Sequence, residues 1–234
     1  MGHIHLLVAD PDAQKKVWMD ALGATEVHLG PLDLMRLPGI YIIIGKARTA
    51  PADGDDGSTV NHFGFLVKDM AAVKAKLDAL HVESAPVAGK PKQMMVKFPE
   101  KVTVELTEDA ALPTAVAMHH IHLATTDPEK LRAWYVKTFG ASAGARDGFL
   151  AAFIPGGEVD VRKMGSPQAP TKGRSVDHIG FEVKNLEAFC KQFVADGGAL
   201  ESPFQDVPSM GLKYAFVVDP DGTRIELTEG LAGR

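Results

Sequence analysis

Residues 3–10 read HIHLLVAD, residues 62–69 HFGFLVKD, residues 120–127 HIHLATTD and residues 178–185 HIGFEVKN. Each stretch opens on histidine and closes seven residues later on Asp or Asn, and the opening histidines stand 59, 58 and 58 residues apart. A fixed period of this kind marks internal repetition. Side chains alternate within each stretch, His3, His5 and Leu7 against Ile4, Leu6 and Val8, as on a strand with two unlike faces. Asp10, Asp69, Asp127 and Asn185 then occupy helix N-cap positions, with Pro11 and Pro128 at the first helical residue. Apolar residues follow at helical spacing: Leu131, Trp134, Tyr135 and Phe139 in the third unit, Leu186, Phe189, Cys190, Phe193 and Val194 in the fourth. Gly23, Gly140 and Gly197 end helices, and about three short strand-like runs come after each helix. The chain reads as an α+β protein of four tandem strand–helix–strand–strand–strand modules.

The modules are expected to pair in chain order. Residues 109–118 (DAALPTAVAM) form a bridge of small residues, which places one domain at 1–112, a linker at 113–117 and a second domain at 118–234. Longer loops, Ala47–Ser58 and Gly165–Arg174, join modules one to two and three to four. Pairing of module one with module four is the arrangement the sequence leaves open.

Composition narrows the function classes. Of 234 residues, 45% are apolar and 24% charged, enough to build a core. The formal charge of -5 is spread evenly, with 12 basic and 15 acidic side chains in residues 1–116 and 13 and 15 in the rest, so neither half is a nucleic-acid or membrane surface. The longest apolar runs, such as Ile40–Ile44 and Tyr214–Val218, fall far short of the about 20 residues of a membrane helix. One cysteine, Cys190, excludes an internal disulfide framework and any CxxC site. A cytoplasmic location is the expectation, although a chain trimmed of a leader would read the same way.

The chemistry lies in the repeating histidines and two closing strands. Arg224-Ile225-Glu226-Leu227-Thr228 follows the turn Asp219-Pro220-Asp221-Gly222, and Thr103-Val104-Glu105-Leu106-Thr107 is its first-half counterpart. Alternation sets Glu226 and Glu105 opposite their apolar neighbours. Each half thus offers two imidazoles and a carboxylate: His3, His62 and Glu105, then His120, His178 and Glu226. Such a set with open positions suits a divalent Zn, Ni, Fe or Mn ion and leaves room for substrate to chelate. A lone strand histidine is ordinarily a packing or solvent-facing residue; here the three ligand types recur in register.

These residues resemble the vicinal oxygen chelate superfamily, which contains glyoxalases, extradiol dioxygenases, fosfomycin-resistance transferases and bleomycin-binding proteins. The resemblance covers essentially the whole chain and is strongest at DHIGFEV and DPDGTRIELTE. It implies two cup-shaped, strongly curved sheets with helices outside and a metal inside each cup. It makes His120, His178 and Glu226 ligands in the second cup and His3, His62 and Glu105 their equivalents in the first. Asp160, 18 residues before His178, stands where glyoxalases of the group place a further carboxylate, as ligand or base.

Alternation adds further candidates. Arg162 shares a strand face with Glu158 and Asp160 and is placed to clamp an anionic substrate, or to pair with Asp160 at a rim. Glu182, on the His178 face, adds a carboxylate for substrate. His122 and His5 sit two residues beyond presumptive ligands, as bases or as hydrogen-bonded core histidines, while His119 points to the other face. In the first half Ile43 or Ile44 replaces Asp160 and Leu66 replaces Glu182, so the second cup is the expected catalytic one. The resemblance then implies a metal-dependent glyoxalase-like lyase or isomerase acting on a small molecule. An Fe(II) extradiol dioxygenase comes second, since Phe216 stands where such enzymes carry Tyr. A drug- or metabolite-binding module comes third. The expected partner is the small substrate, with a homodimer allowed.

Overall fold

The computed structural model describes residues 2–52 and 54–233; Asp53, in the expected loop Ala47–Ser58, lies outside them. Module one comprises β1 (His3–Val8), α1 (Pro11–Asp20), β2 (Thr25–Leu29), β3 (Leu32–Leu37) and β4 (Ile40–Lys46). Module two comprises β5 (Val60–Val67), α2 (Met70–Ala79), β6 (Glu83–Val87), β7 (Lys90–Phe98) and β8 (Val102–Glu108). Module three comprises β9 (Val116–Thr125), α3 (Pro128–Phe139), β10 (Ser142–Arg146), β11 (Phe149–Ile154) and β12 (Gly157–Lys163). Module four comprises β13 (Val176–Glu182), α4 (Leu186–Ala195), β14 (Leu200–Val207), β15 (Leu212–Val218) and β16 (Arg224–Glu229). The helix starts form as their chemistry dictates: Asp10, Asp69, Asp127 and Asn185 accept backbone N–H groups from Ala13, Ala72, Lys130 and Ala188.

The sheets do not follow chain order. One eight-stranded sheet runs β14-β15-β16-β13-β1-β4-β3-β2 and the other β10-β11-β12-β9-β5-β8-β7-β6. Module one therefore shares a sheet with module four, and module two with module three. This corrects the expectation that residues 1–112 and 118–234 each close one cup. Connection length supplies the physical reason. Residues 109–115 make a short hop across β5, from β8 on one side to β9 on the other, and so keep module three in module two's sheet. The longer connections 47–59 and 164–175 cross between the sheets side by side, bridged at Ala52–Arg174 and Ser58–Ala169.

At the centre of each sheet two module-opening strands run antiparallel. In the first, His3 faces Gly180 and His5 faces His178; in the second, His120 faces Gly64 and His122 faces His62. The alternate faces, Ile4, Leu6, Phe63, Phe65, Ile121, Leu123, Ile179 and Phe181, join one apolar core that spans both sheets. Helices lie in that core, outside the cups. Trp18 of α1, fully buried, packs 5.6 Å from Phe65 and 4.7 Å from Phe98 of the other sheet. Deleting a buried ring of this size costs about 3–5 kcal/mol. Tyr135 of α3 likewise reaches module four, donating its hydroxyl to Asp219 at 3.1 Å. Modules one and two, and likewise modules three and four, thus meet through helices, while the cups join module one to four and module two to three. No helix among the described residues is long and apolar enough to cross a membrane.

Candidate metal centres

The central strand pairs gather the histidines into two clusters that mix the expected ligand sets. In the cup of modules one and four, His3 Nε2 and His178 Nε2 each lie 2.9 Å from Glu226 Oε2, and the His5 ring lies 4.4 Å from the His178 ring, tilted 46° to it. In the cup of modules two and three, His120 Nε2 lies 3.2 Å from His62 Nε2, with Glu105 Oε2 3.5 Å from the same His62 atom. The set His120, His178 and Glu226 is therefore divided between the cups, because β13 pairs with β1 and not with β9. His3 joins His178 and Glu226; His62 and Glu105 join His120.

Steric reasons fix these rings. A Cβ at Gly180 would lie 2.1 Å from His3 Cε1, and one at Gly64 would lie 2.0 Å from His120 Cε1. The H-x-G strands of modules two and four are thus bare where the H-x-H strands of modules one and three lay down an imidazole.

Three β-bulges supply residues that alternation misplaces. The register slips one residue at Asp177, at Asn61 and at His119. A bulge swings its extra side chain off the period-two pattern. Asp177 Oδ1 consequently accepts His178 Nδ1–H at 2.7 Å and is itself held by Arg224 at 2.8 Å. Asn61 Oδ1 accepts from His62 Nδ1 at 2.9 Å. His119 turns into the second cup, its Nδ1 3.0 Å from His120 Nδ1 and its Nε2 3.6 Å from Glu158, which corrects its expected outward position. Such partners orient ligating imidazoles and settle which nitrogen faces a metal.

The electrostatics fit a cation in each cup. His178 has carboxylate oxygens at both ring nitrogens, yet a neutral imidazole has one N–H. Either a second proton or a metal ion must lie between Nε2 and Glu226. Burial opposes the charged forms, but the hydrogen bonds raise His178 above its usual range and hold Glu226 well below the carboxylate range. In the other cup burial, reinforced by repulsion from His62, lowers His120 strongly and His122 to about 3, so both stay neutral and able to ligate. One cup gathers imidazoles and Glu226 within ligand reach, the other His62, His120 and His122 with Glu105 beside His62, and such nitrogen-rich sets suit a first-row divalent ion.

Asp160 lies opposite His122 in the β9–β12 pair, in the cup of His62, His120 and Glu105. It is fully buried, its Oδ1 has no partner, and burial raises its carboxyl despite an ion pair with Arg146. Arg146, which sequence reasoning missed, grips both Asp160 and Glu158; it sits at the end of β10, where no motif marks it. Arg162, the expected partner of Asp160, is exposed at the rim, near enough for its charge to press on His122. Glu182 is not free for substrate: its oxygens accept from the Thr228 hydroxyl and from the Gly230 and Leu231 N–H groups, tying down the chain after β16. His122 is buried with Nε2 unpartnered, its ring 4.7 Å from His62 and 4.6 Å from Phe149. Ile43, opposite His5, holds the place in the first cup that Asp160 holds in the second.

Comparison with known proteins agrees with this architecture. No curated protein sequence matches the chain. Glyoxalase I from Zea mays superposes with a TM-score of 0.78 at 15% identity, over 97% of this chain and 91% of that one. A V278E variant of the same maize enzyme gives 0.75 at 16%, over 97% and 91%. A presumed dioxygenase from Bacillus subtilis gives 0.72 at 16%, over 99% and 86%. At these identities the likeness shows the fold alone. Residues 117–227 match the model of the Glyoxalase/Bleomycin resistance protein/Dioxygenase superfamily, a segment whose two modules lie in different sheets. Residues 117–227 thus carry the likeness to that superfamily, the vicinal oxygen chelate group, and the whole chain shares the two-sheet fold of glyoxalase I.

Proposed function

We propose that the chain is a divalent-metal-dependent enzyme of glyoxalase type, a lyase or isomerase whose small substrate presents two neighbouring oxygens. The working cup is that of modules two and three. One observation carries the reading: a buried carboxylate, Asp160, with an oxygen unpartnered, stands in the same cup as His62, His120 and Glu105. A divalent ion held by those three residues supplies Lewis-acid polarisation of the substrate oxygens. Asp160 provides the base for a proton beside a polarised carbonyl, since burial raises its proton affinity above that of an exposed carboxylate. Arg146 holds Asp160 in place, and Asn61 turns His62 so that Nε2 faces inward. The cup of modules one and four has Ile43 in the place of Asp160 and serves as a second ion site without that base. Each cup closes within one chain, so a second copy is not required to build it.

A ferrous extradiol dioxygenase is the second reading, favoured by one feature. His3, His178 and Glu226 form a two-histidine, one-carboxylate set beside the apolar walls Leu34, Tyr41, Ile43 and Leu212. Phe216 packs 5.1 Å from the His178 ring and offers no hydroxyl there. The test is Asp160→Asn, assayed on 2-oxoaldehyde hemithioacetals and on catechols with metal content measured in parallel. A loss of ~10²–10⁴ in kcat on the first panel, with the fold retained, is the expected result. A wild-type rate with wild-type metal reduces Asp160 to an ion-pair partner; turnover of catechols with bound iron favours the dioxygenase.

A further inference from the structure

His5 lies outside every ligand set so far described. It is half-buried on β1, two residues beyond His3 and directly opposite His178. Its Nδ1 is shut off from solvent and has no hydrogen-bond partner. One ligand atom each from His3, His5, His178 and Glu226 falls within a mutual span of 4.8 Å. Six-coordinate ligands at about 2.1 Å from an ion stand roughly 3 Å apart when adjacent and 4.2 Å when opposite, so that span accommodates four donors around one ion. A buried imidazole nitrogen without a partner is costly unless something fills its lone pair or accepts its proton.

We propose that His5 is a fourth protein ligand, so that the cup of modules one and four holds its ion through three imidazoles and one carboxylate. The proposal rests on the reading that this cup binds a divalent ion, and not on the reaction assigned to the other cup. Two consequences follow from donor number and type. Three nitrogens to one oxygen favour the later first-row ions over manganese or magnesium. Four protein ligands leave two positions on a six-coordinate ion, enough for a pair of vicinal substrate oxygens and none for a third exogenous ligand. A two-histidine, one-carboxylate set would leave three. His5 therefore turns the cup from an oxygenase-like site into one that only chelates.

Copper(II) is the probe, because pulsed paramagnetic resonance counts the imidazoles bound to it. The full chain carrying His120→Ala and Glu105→Gln, which disarm the other cup, is loaded with one equivalent. Three coupled imidazoles are expected, falling to two in the added variant His5→Gln. Two imidazoles in the parent overturn the proposal while leaving the cup a metal site; no bound copper overturns both. Should the disarmed chain fail to fold, zinc calorimetry on the otherwise unaltered protein decides. His5→Gln should then weaken one of two sites at least ~10-fold and spare the other. Two unchanged sites overturn the assignment.

Discussion

At residues 64 and 180 the absence of a side chain is as necessary as the imidazoles opposite. Carbon atoms in contact sit about 3.5–4.0 Å apart, whereas a Cβ at either position would meet a histidine ring near 2 Å. The ring must leave or the strands must part. Gly180→Ala should therefore lower zinc affinity at least ~10-fold in the cup of His3, and Gly64→Ala should do the same in the cup of His120, each sparing the other cup. Calorimetric titration of both variants checks this; equal affinities in all three proteins would mean that the rings are not held by those glycines. The reciprocal motifs were visible in the sequence as H-x-H and H-x-G. Asp177, Asn61 and His119 were not legible as site residues, because each sits on a bulge that breaks the alternation used to assign faces. Arg146 was invisible for another reason: it reaches Asp160 across a strand pairing that only the folded hairpins create.

Among the connecting elements, the loop from β4 to β5 carries a buried charge. Asp55 accepts the Thr103 N–H at 2.5 Å and the Thr103 hydroxyl at 2.6 Å, with Lys97 3.9 Å away, and so pins the crossing segment to β8. Burial outweighs these bonds and lifts its carboxyl to about 6, above the unfolded value of 3.8. The sign follows: the folded state holds the proton more tightly, so the stabilisation is complete below pH 4 and is lost as pH rises through 6. Two pKa units correspond to about 3 kcal/mol. The difference in unfolding free energy between wild type and Asp55→Asn should shift by that order between pH 4 and pH 7.5, in favour of the variant at the higher pH. Urea titrations at several pH values measure it, and a difference independent of pH would show that Asp55 keeps an ordinary pKa. Helix starts were legible in advance, since a cap is a local hydrogen bond. The role of this loop was not, since its burial depends on two sheets meeting.

The molecule as a whole is a pair of cups closed by exchange of modules. A chain cut between residues 112 and 118 separates both cups at once, leaving β1 and β5 in one piece and β9 and β13 in the other, each with a bare edge. Residues 118–234 alone should not form a native monomer. Mixed with residues 1–112 they should return a one-to-one complex with native circular dichroism. Light scattering after size exclusion reads the outcome, and a folded monomeric 118–234 that binds zinc through His178 and Glu226 would contradict it. Four modules, their strand and helix order and the histidine and carboxylate positions that face the cups were legible in the sequence alone, because period, caps and alternation are properties of neighbouring residues. The partnership of modules was decided only in three dimensions. Every H-x-H strand is sterically matched to either H-x-G strand, so the local pattern permits module one to pair with two or with four. The choice falls to the short hop of residues 109–115, which keeps modules two and three in one sheet, and to Trp18 and Tyr135, whose burial brings module one against two and module three against four through helices rather than strands.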